Sequence, residues 1–183
     1  MLLALALLAA FASVPLAGGR LGALAQVTFR APGLLLGALG VQILITSVVA
    51  GGDTRLHDLL HLATYAVAAA WVVLNRHVPG MLLLGLGGAL NLCAIAANGG
   101  VMPADPAALR SAGVVVEPGE FNNSAAVADP RLSWLGDVFA TPSWFPGANV
   151  FSVGDVVIVL AALWAVHRIG GSRLGRLAAP RPA

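Results

Sequence analysis

The residues best suited to chemistry are carboxylates and imidazoles set beside long apolar runs. Asp155 opens one such run, Phe151-Ser152-Val153-Gly154-Asp155-Val156-Val157-Ile158. Asp137 stands eighteen residues earlier, in Trp134-Leu135-Gly136-Asp137-Val138-Phe139. Two carboxylates brought together work as an acid–base pair, because like charges split their pKa values and leave one protonated and one ionised. Asp137 and Asp155 are therefore the candidate catalytic residues of a water-activating hydrolase. Each has a plainer reading beside it. Ser152 and Asp155 stand at capping-box spacing, where both side chains satisfy orphan amides at a helix start and negative charge suits the dipole. Asp137 also reads as a solvated loop residue, although its apolar and aromatic flanks suggest a segment that dips toward a bilayer.

His57-Asp58-Leu59-Leu60-His61 sets two imidazoles four residues apart on one helix face, which is metal-ligand spacing. A third ligand would have to come from Asp58, Asp137 or Asp155, and nothing in the sequence demands it. The expectation is interfacial hydrogen bonding, with no metal and no other cofactor. His57, Asp58 and His61 join Asn91, Asn98 and Asn149 as candidate binding residues. Asn91 and Asn98 are seven apart and share a helix face. Asn98-Gly99-Gly100, followed by Met102-Pro103, is also ordinary helix-ending chemistry. Gln42 and Asn75 are placed to bond across helices.

Other chemistries are excluded by what is missing. The ten basic residues are all arginine, so a phosphate-loop lysine and a Schiff base are ruled out. Those arginines are spread along the chain rather than clustered with aromatics, which argues against nucleic acid. Cys93 is the single cysteine, so no intramolecular disulfide forms. No nucleophile elbow is present, and no internal repeat supports an inverted-repeat transporter.

The elements that must position these groups follow from composition. Of 183 residues 58% are hydrophobic, against ten basic and eight acidic ones. A soluble chain of this length carries roughly 45 charged residues, and the mean hydropathy here is +0.88. The expected class is an all-α integral membrane protein, with lipid as its surroundings.

A membrane helix needs about 20 mostly apolar residues, within a range of roughly 17 to 25. Five stretches approach this: about Leu2 to Ala17, Gly33 to Ala50, Leu56 to Leu74, Gly80 to Ala97 and Val150 to Val166. They make one membrane domain over residues 1–168, followed by an arginine-rich tail over 169–183. The first stretch has the small residues of a signal peptide, yet it lacks a basic leader and arginines follow it, so it is read as a retained helix. Between the fourth and fifth lies the long loop Asn98 to Asn149, rich in Pro, Gly, Ser and Asn. Small-residue pairs at Gly33/Gly37 and Gly85/Ala89 are plausible helix contact faces.

Arginine placement orients the spans, since cytoplasmic loops accumulate positive charge. Arg20, Arg30, Arg76, Arg168, Arg173, Arg176 and Arg181 fall on one side with no acid. All eight acids, with Arg55, Arg110 and Arg131, fall on the other. The N-terminus and the long loop are expected outside a bacterial plasma membrane and the C-terminus in the cytoplasm. Trp71 and Trp164 then sit near the inner interface, with Trp134 and Trp144 near the outer one.

Several strings resemble one bacterial family of small polytopic membrane proteins catalogued only as a domain of unknown function. They are Leu74-Asn75-Arg76 with Pro79-Gly80, Asn91 through Asn98-Gly99-Gly100 with Met102-Pro103, Leu135-Gly136-Asp137, and Asn149-Val150-Phe151-Ser152-Val153-Gly154-Asp155. The likeness runs from Gly18-Gly19-Arg20 to Trp164 and implies that the first span is retained. It implies no activity. A fainter resemblance is to signal peptidase II, whose second catalytic Asp opens the last helix as Asp155 does, preceded at a similar interval by the first, as Asp137 is. Asp137 lacks that motif's flanking Gly-Asn and Arg, and the Asn98 segment is joined to it by a loop where the protease has two further helices. The leading expectation is a binding or structural envelope protein with a polar outer rim, its partner an envelope protein or lipid-linked molecule. The alternative is an aspartyl hydrolase using Asp137 and Asp155.

Overall fold

A computed structural model describes residues 2–47, 54–114 and 124–177. Five long helices dominate: α1 (Leu2–Leu16), α2 (Pro32–Ser47), α3 (Thr54–Leu74), α4 (Met81–Ala97) and, after the loop, α6 (Val153–Ile169). A short α5 (Pro106–Ala112) lies within the loop and a short α7 (Arg173–Leu177) follows α6. The expected all-α class holds in its main outline. Among the described residues no helix is long and apolar enough to cross a membrane. α4 and α6 have 17 residues each, which at 1.5 Å per residue is about 26 Å. α3 has 21 residues, but Arg55, His57, Asp58 and His61 occupy its first two turns.

The long helices pack in the order α2, α3, α4, α6, α1. α4 and α6 run antiparallel and form the most extensive contact. Two glycines allow it. A methyl group at Gly87 would stand 2.7 Å from the Gly154 carbonyl oxygen, and one at Gly154 would collide with the Asn91 amide oxygen. At the other end of this pair Gly80, at φ +85°, turns the chain into α4, and a methyl there would stand 2.6 Å from Ala165 Cβ. Of the expected small-residue faces, Gly85 packs on Val72, whereas Gly33 and Gly37 face open space. α1 runs parallel to α6, with Ala10 and Val14 buried against Val166.

The last span begins and ends three residues later than its hydrophobic run suggests. Ser152 and Asp155 make the helix start, and buried Val166 and His167 carry it on through Arg168 to Ile169. Arg168 is thus inside the last turn rather than beyond it.

The described part of the long loop is a folded cap rather than an open connection. β1 (Met102–Pro103) pairs in parallel with β2 (Ser124–Ala125), and β3 (Phe139–Ala140) pairs antiparallel with β4 (Val150–Phe151). Asp105 caps α5 by accepting from Ala107 N at 2.9 Å, with Pro106 at the first position and Gly113 past the end. Ala104, Ala108, Leu109, Ala112 and Val150 form the cap's own core. Met102 and Leu135 pack down on Ala94 and Ile95 of α4, joining cap to bundle.

Charge divides between the two ends of the bundle. Arg20 N donates to Gly170 O, Arg173 N to Ala17 O, and Arg30 N to the Asn75 side chain beside Arg76. These bonds gather exposed Arg20, Arg30, Arg76, Arg168, Arg173 and Arg176 at one end, with no acid there among the described residues. Asp105, Asp129, Asp137 and Asp155 lie at the cap end.

Candidate functional site

At the cap end, Ser152 precedes α6 in extended conformation and its hydroxyl accepts from Asp155 N at 3.0 Å. Asp155 returns the bond, its Oδ2 accepting from Ser152 N at 3.1 Å. This is a complete capping box. Asn91 of α4 then locks it from across the helix pair. Its amide donates to Asp155 Oδ1 at 2.9 Å, and its amide oxygen accepts the Ser152 hydroxyl at 2.8 Å. Ser152 is fully buried and Asn91 is 7% exposed, so the bond between them forms away from water, where an unmade bond is costly, and the bonds to Asp155 are partly buried. Both carboxylate oxygens of Asp155 are engaged, Oδ2 in the cap of α6 and Oδ1 in holding α4 to it.

Asp137 is buried at 4% exposure, unlike a solvated loop residue. Its backbone bridges the cap: Asp137 N donates to Pro103 O at 2.9 Å and Asp105 N donates to Asp137 O at 3.1 Å. Gly136 permits this, since a side chain there would strike the Pro103 carbonyl oxygen. Tyr65 of α3, which packs under the cap with Leu62 and Leu90, lies within electrostatic reach of both Asp155 and Asp137. The two carboxylates therefore share one end of the bundle. Asp155 borders an apolar groove of about 190 Å³ between α1 and α6, beside Leu3 and Phe151, and Asp137 is not part of its wall.

The other predicted residues divide by role. Asn98 ends α4 and clamps the cap: its side chain donates to Ala94 O and Arg131 O, both at 2.7 Å, and accepts from Arg131 N at 2.9 Å. Asn149 takes part through its backbone, its N–H donating to Thr141 Oγ1 at 2.8 Å and its carbonyl accepting from Thr141 N. The side chains of His57, Asp58 and His61 lie outside the described residues. Among the described residues no three His, Cys, Asp or Glu side chains gather as a metal site. Gln42 accepts from Thr64 Oγ1 at 2.9 Å, joining α2 to α3. Asn75, fully buried, accepts from Arg30 N and donates to Arg30 O, fixing the segment before α2.

The cap also carries a hollow of about 420 Å³ walled by Pro103, Asp105, Pro106, Pro130, Ser133 and Trp134. Proline-stiffened walls and a 63% exposed Trp134 give it the rigid apolar surface and few polar groups of a ligand-binding cleft.

A second polar centre, at the arginine end, escaped the sequence reading. His167 is 2% exposed, with Nε2 at 2.9 Å from Ser13 Oγ and Nδ1 at 2.7 Å from Ser172 Oγ. Ser13 spends its proton on Ala10 O, and Ser172 Oγ accepts from Gly175 N. The network therefore assigns the ring proton to Nε2, with Ser172 donating to Nδ1. One imidazole ties α1, α6 and α7 together. Its partners are 154 and 5 residues away, a spacing that no local motif reveals.

No curated protein and no solved structure matches the chain, signal peptidase II included. A model of a family of unknown function, DUF5317, matches residues 26–167. That span runs from the segment before α2 to His167 and contains Asn91, Asn98, Asp137, Ser152 and Asp155. The chain belongs to the DUF5317 family.

Proposed function

We propose that the chain is a multi-pass protein of the bacterial plasma membrane whose folded cap is an outward-facing binding surface for an envelope protein or lipid-linked partner. The observation that carries the membrane reading is an inverted distribution of polarity. Leu8, Leu36, Leu82 and Leu160 are 65%, 66%, 61% and 57% exposed on the long helices, while Asn75, Asn91, Ser152 and His167 are buried between them. Water would select the reverse arrangement; lipid selects this one, with polar side chains bonding helix to helix. The helices are short for a bilayer of about 30 Å, and short spans are accommodated by local thinning and by flanking residues reaching the interface. The arginine end is then cytoplasmic and the acidic cap external.

The engagement of Asp155 with Ser152 and Asn91 favours binding over hydrolysis, because the candidate acid–base residue is committed to a helix cap. The proline-walled hollow beside Trp134 offers a partner a surface on the cap.

Cys93 supplies the test, because it is exposed on the outer surface of α4. In sealed native membranes it is expected to resist a membrane-impermeant maleimide and to react fully once detergent and urea are added. Full reaction without detergent overturns the membrane reading. In a Cys93→Ser background, Ser143→Cys on the cap should label in intact cells; protection there overturns the orientation.

A further inference from the structure

The structure assigns a phospholipid site to the trench between α2 and α4, a proposal that rests on the membrane reading above. α2 packs on α3 and α3 on α4, while α2 and α4 scarcely touch. Two hollows of about 220 and 230 Å³ follow from this, and they share Leu35, Tyr65 and Ala68 in their walls. The one beside Trp71 is almost wholly apolar, as an acyl chain requires, and the other is mainly apolar with the bonded Gln42–Thr64 pair in its wall.

The arginine-side end of the trench is walled by Trp71 and Met81. Trp71 is 8% exposed and stacked on Phe29 with ring centroids 5.4 Å apart. Its indole N–H is the buried side-chain donor that lacks a hydrogen-bond partner among the described residues. Buried donors without acceptors are rare and costly. One turn further on, the Asn75 side chain holds the Arg30 backbone beside Arg76, and both guanidinium-bearing residues are exposed. Arg76 stands five residues after Trp71, just past the end of α3 at Leu74.

Apolar wall, unpartnered buried donor and basic rim follow one another in the order of acyl chain, ester carbonyl and phosphate in a glycerophospholipid. The occupant is one inner-leaflet glycerophospholipid, its chain in the trench, an ester carbonyl accepting from Trp71 Nε1 and its phosphate at Arg30 and Arg76. Free phosphate and detergent lack the combination.

The test uses the full chain purified in mild detergent, with native mass spectrometry after addition of dioleoylphosphatidylglycerol or its diether analogue, which has no ester carbonyl. One ester lipid is expected per chain, retained about fivefold better than the diether, the size of one net hydrogen bond. Trp71→Phe keeps the ring stack and should remove that preference. Gly88→Leu fills the trench from a position where a methyl meets nothing within 4 Å, and should abolish retention of both lipids. Arg30→Gln with Arg76→Gln should weaken both lipids and leave the preference intact. Equal retention of ester and diether by the wild type, or undiminished retention by Gly88→Leu, overturns the site. Flotation with dioleoylphosphatidylglycerol vesicles separates the two readings: a chain that fails to float overturns the membrane reading itself, and one that floats yet holds no lipid overturns only the site.

Discussion

Asn91 on α4 and Asp155 on α6 are joined by a hydrogen bond of 2.9 Å, 64 residues apart in sequence. The bond is oriented by two others, since Ser152 donates its hydroxyl to Asn91 and its backbone N–H to Asp155. Each polar atom of the triangle has a partner of the correct sense. The arrangement does more than cap a helix. It fixes the register of α4 against α6 at the point where the cap enters the bundle.

That register depends on Gly87 and Gly154. Gly154→Ala is expected to cost about 1–3 kcal/mol through overpacking, because the added methyl would collide with the Asn91 amide oxygen. Gly33→Ala and Gly37→Ala meet nothing within 4 Å and should leave stability unchanged or slightly raised. Thermal unfolding of the detergent-purified variants distinguishes them; a loss of similar size at all three positions would contradict this packing.

Asn98 holds the cap by three bonds to Ala94 and Arg131. Asn98→Ala leaves a backbone N–H and two carbonyls to find water, and is expected to loosen residues 129–136 while the helices persist. Hydrogen exchange should rise at Arg131 and Leu135 by about tenfold, the effect of roughly 1.4 kcal/mol. Unchanged exchange there would show that the cap is held elsewhere.

At the opposite end, Ser172→Ala removes both the donor to His167 Nδ1 and the acceptor for Gly175 N. Two buried groups lose their partners, at about 1–3 kcal/mol in total. α7 should exchange faster and become accessible to trypsin at Arg173 and Arg176. Wild-type protection of α7 in this variant would argue that the imidazole bridge is incidental.

The sequence disclosed the long helices well because each is a run of apolar residues bounded by Gly, Pro or charge. α3 and α4 begin and end within two residues of their hydrophobic stretches. The Ser152–Asp155 capping box was also legible, since its partners are three residues apart. What stayed hidden has a common physical cause. A helix that is apolar all round gives no periodic signal of its inward face, so Gly33 and Gly37 looked as good a contact as Gly87 and Gly154 proved to be. Likewise the partners of Asn91 and His167 depend on which helices are neighbours, which no local spacing encodes. The cap has the composition of a loop because three of the five residues of its core are alanines, at 104, 108 and 112, too small to announce burial. Asp137 is buried by backbone bonds to Pro103 and Asp105, contacts blind to side-chain type.

Asp155 is a structural clamp, and exchanging it with Asn91 tests that role most directly. Asp155→Asn alone sets one amide donor against another, and Asn91→Asp alone sets two carboxylates together; each should lower stability by about 1–3 kcal/mol. Combined, N91D and D155N restore complementarity, because the new amide at position 155 donates to the new carboxylate at position 91, which still accepts from Ser152. In a double-mutant cycle by thermal unfolding, the pair is expected to recover most of the loss, with a coupling of about 1–3 kcal/mol. Singles as stable as the wild type, or a double variant whose losses simply add, would contradict the clamp and return Asp155 to the ranks of candidate acids.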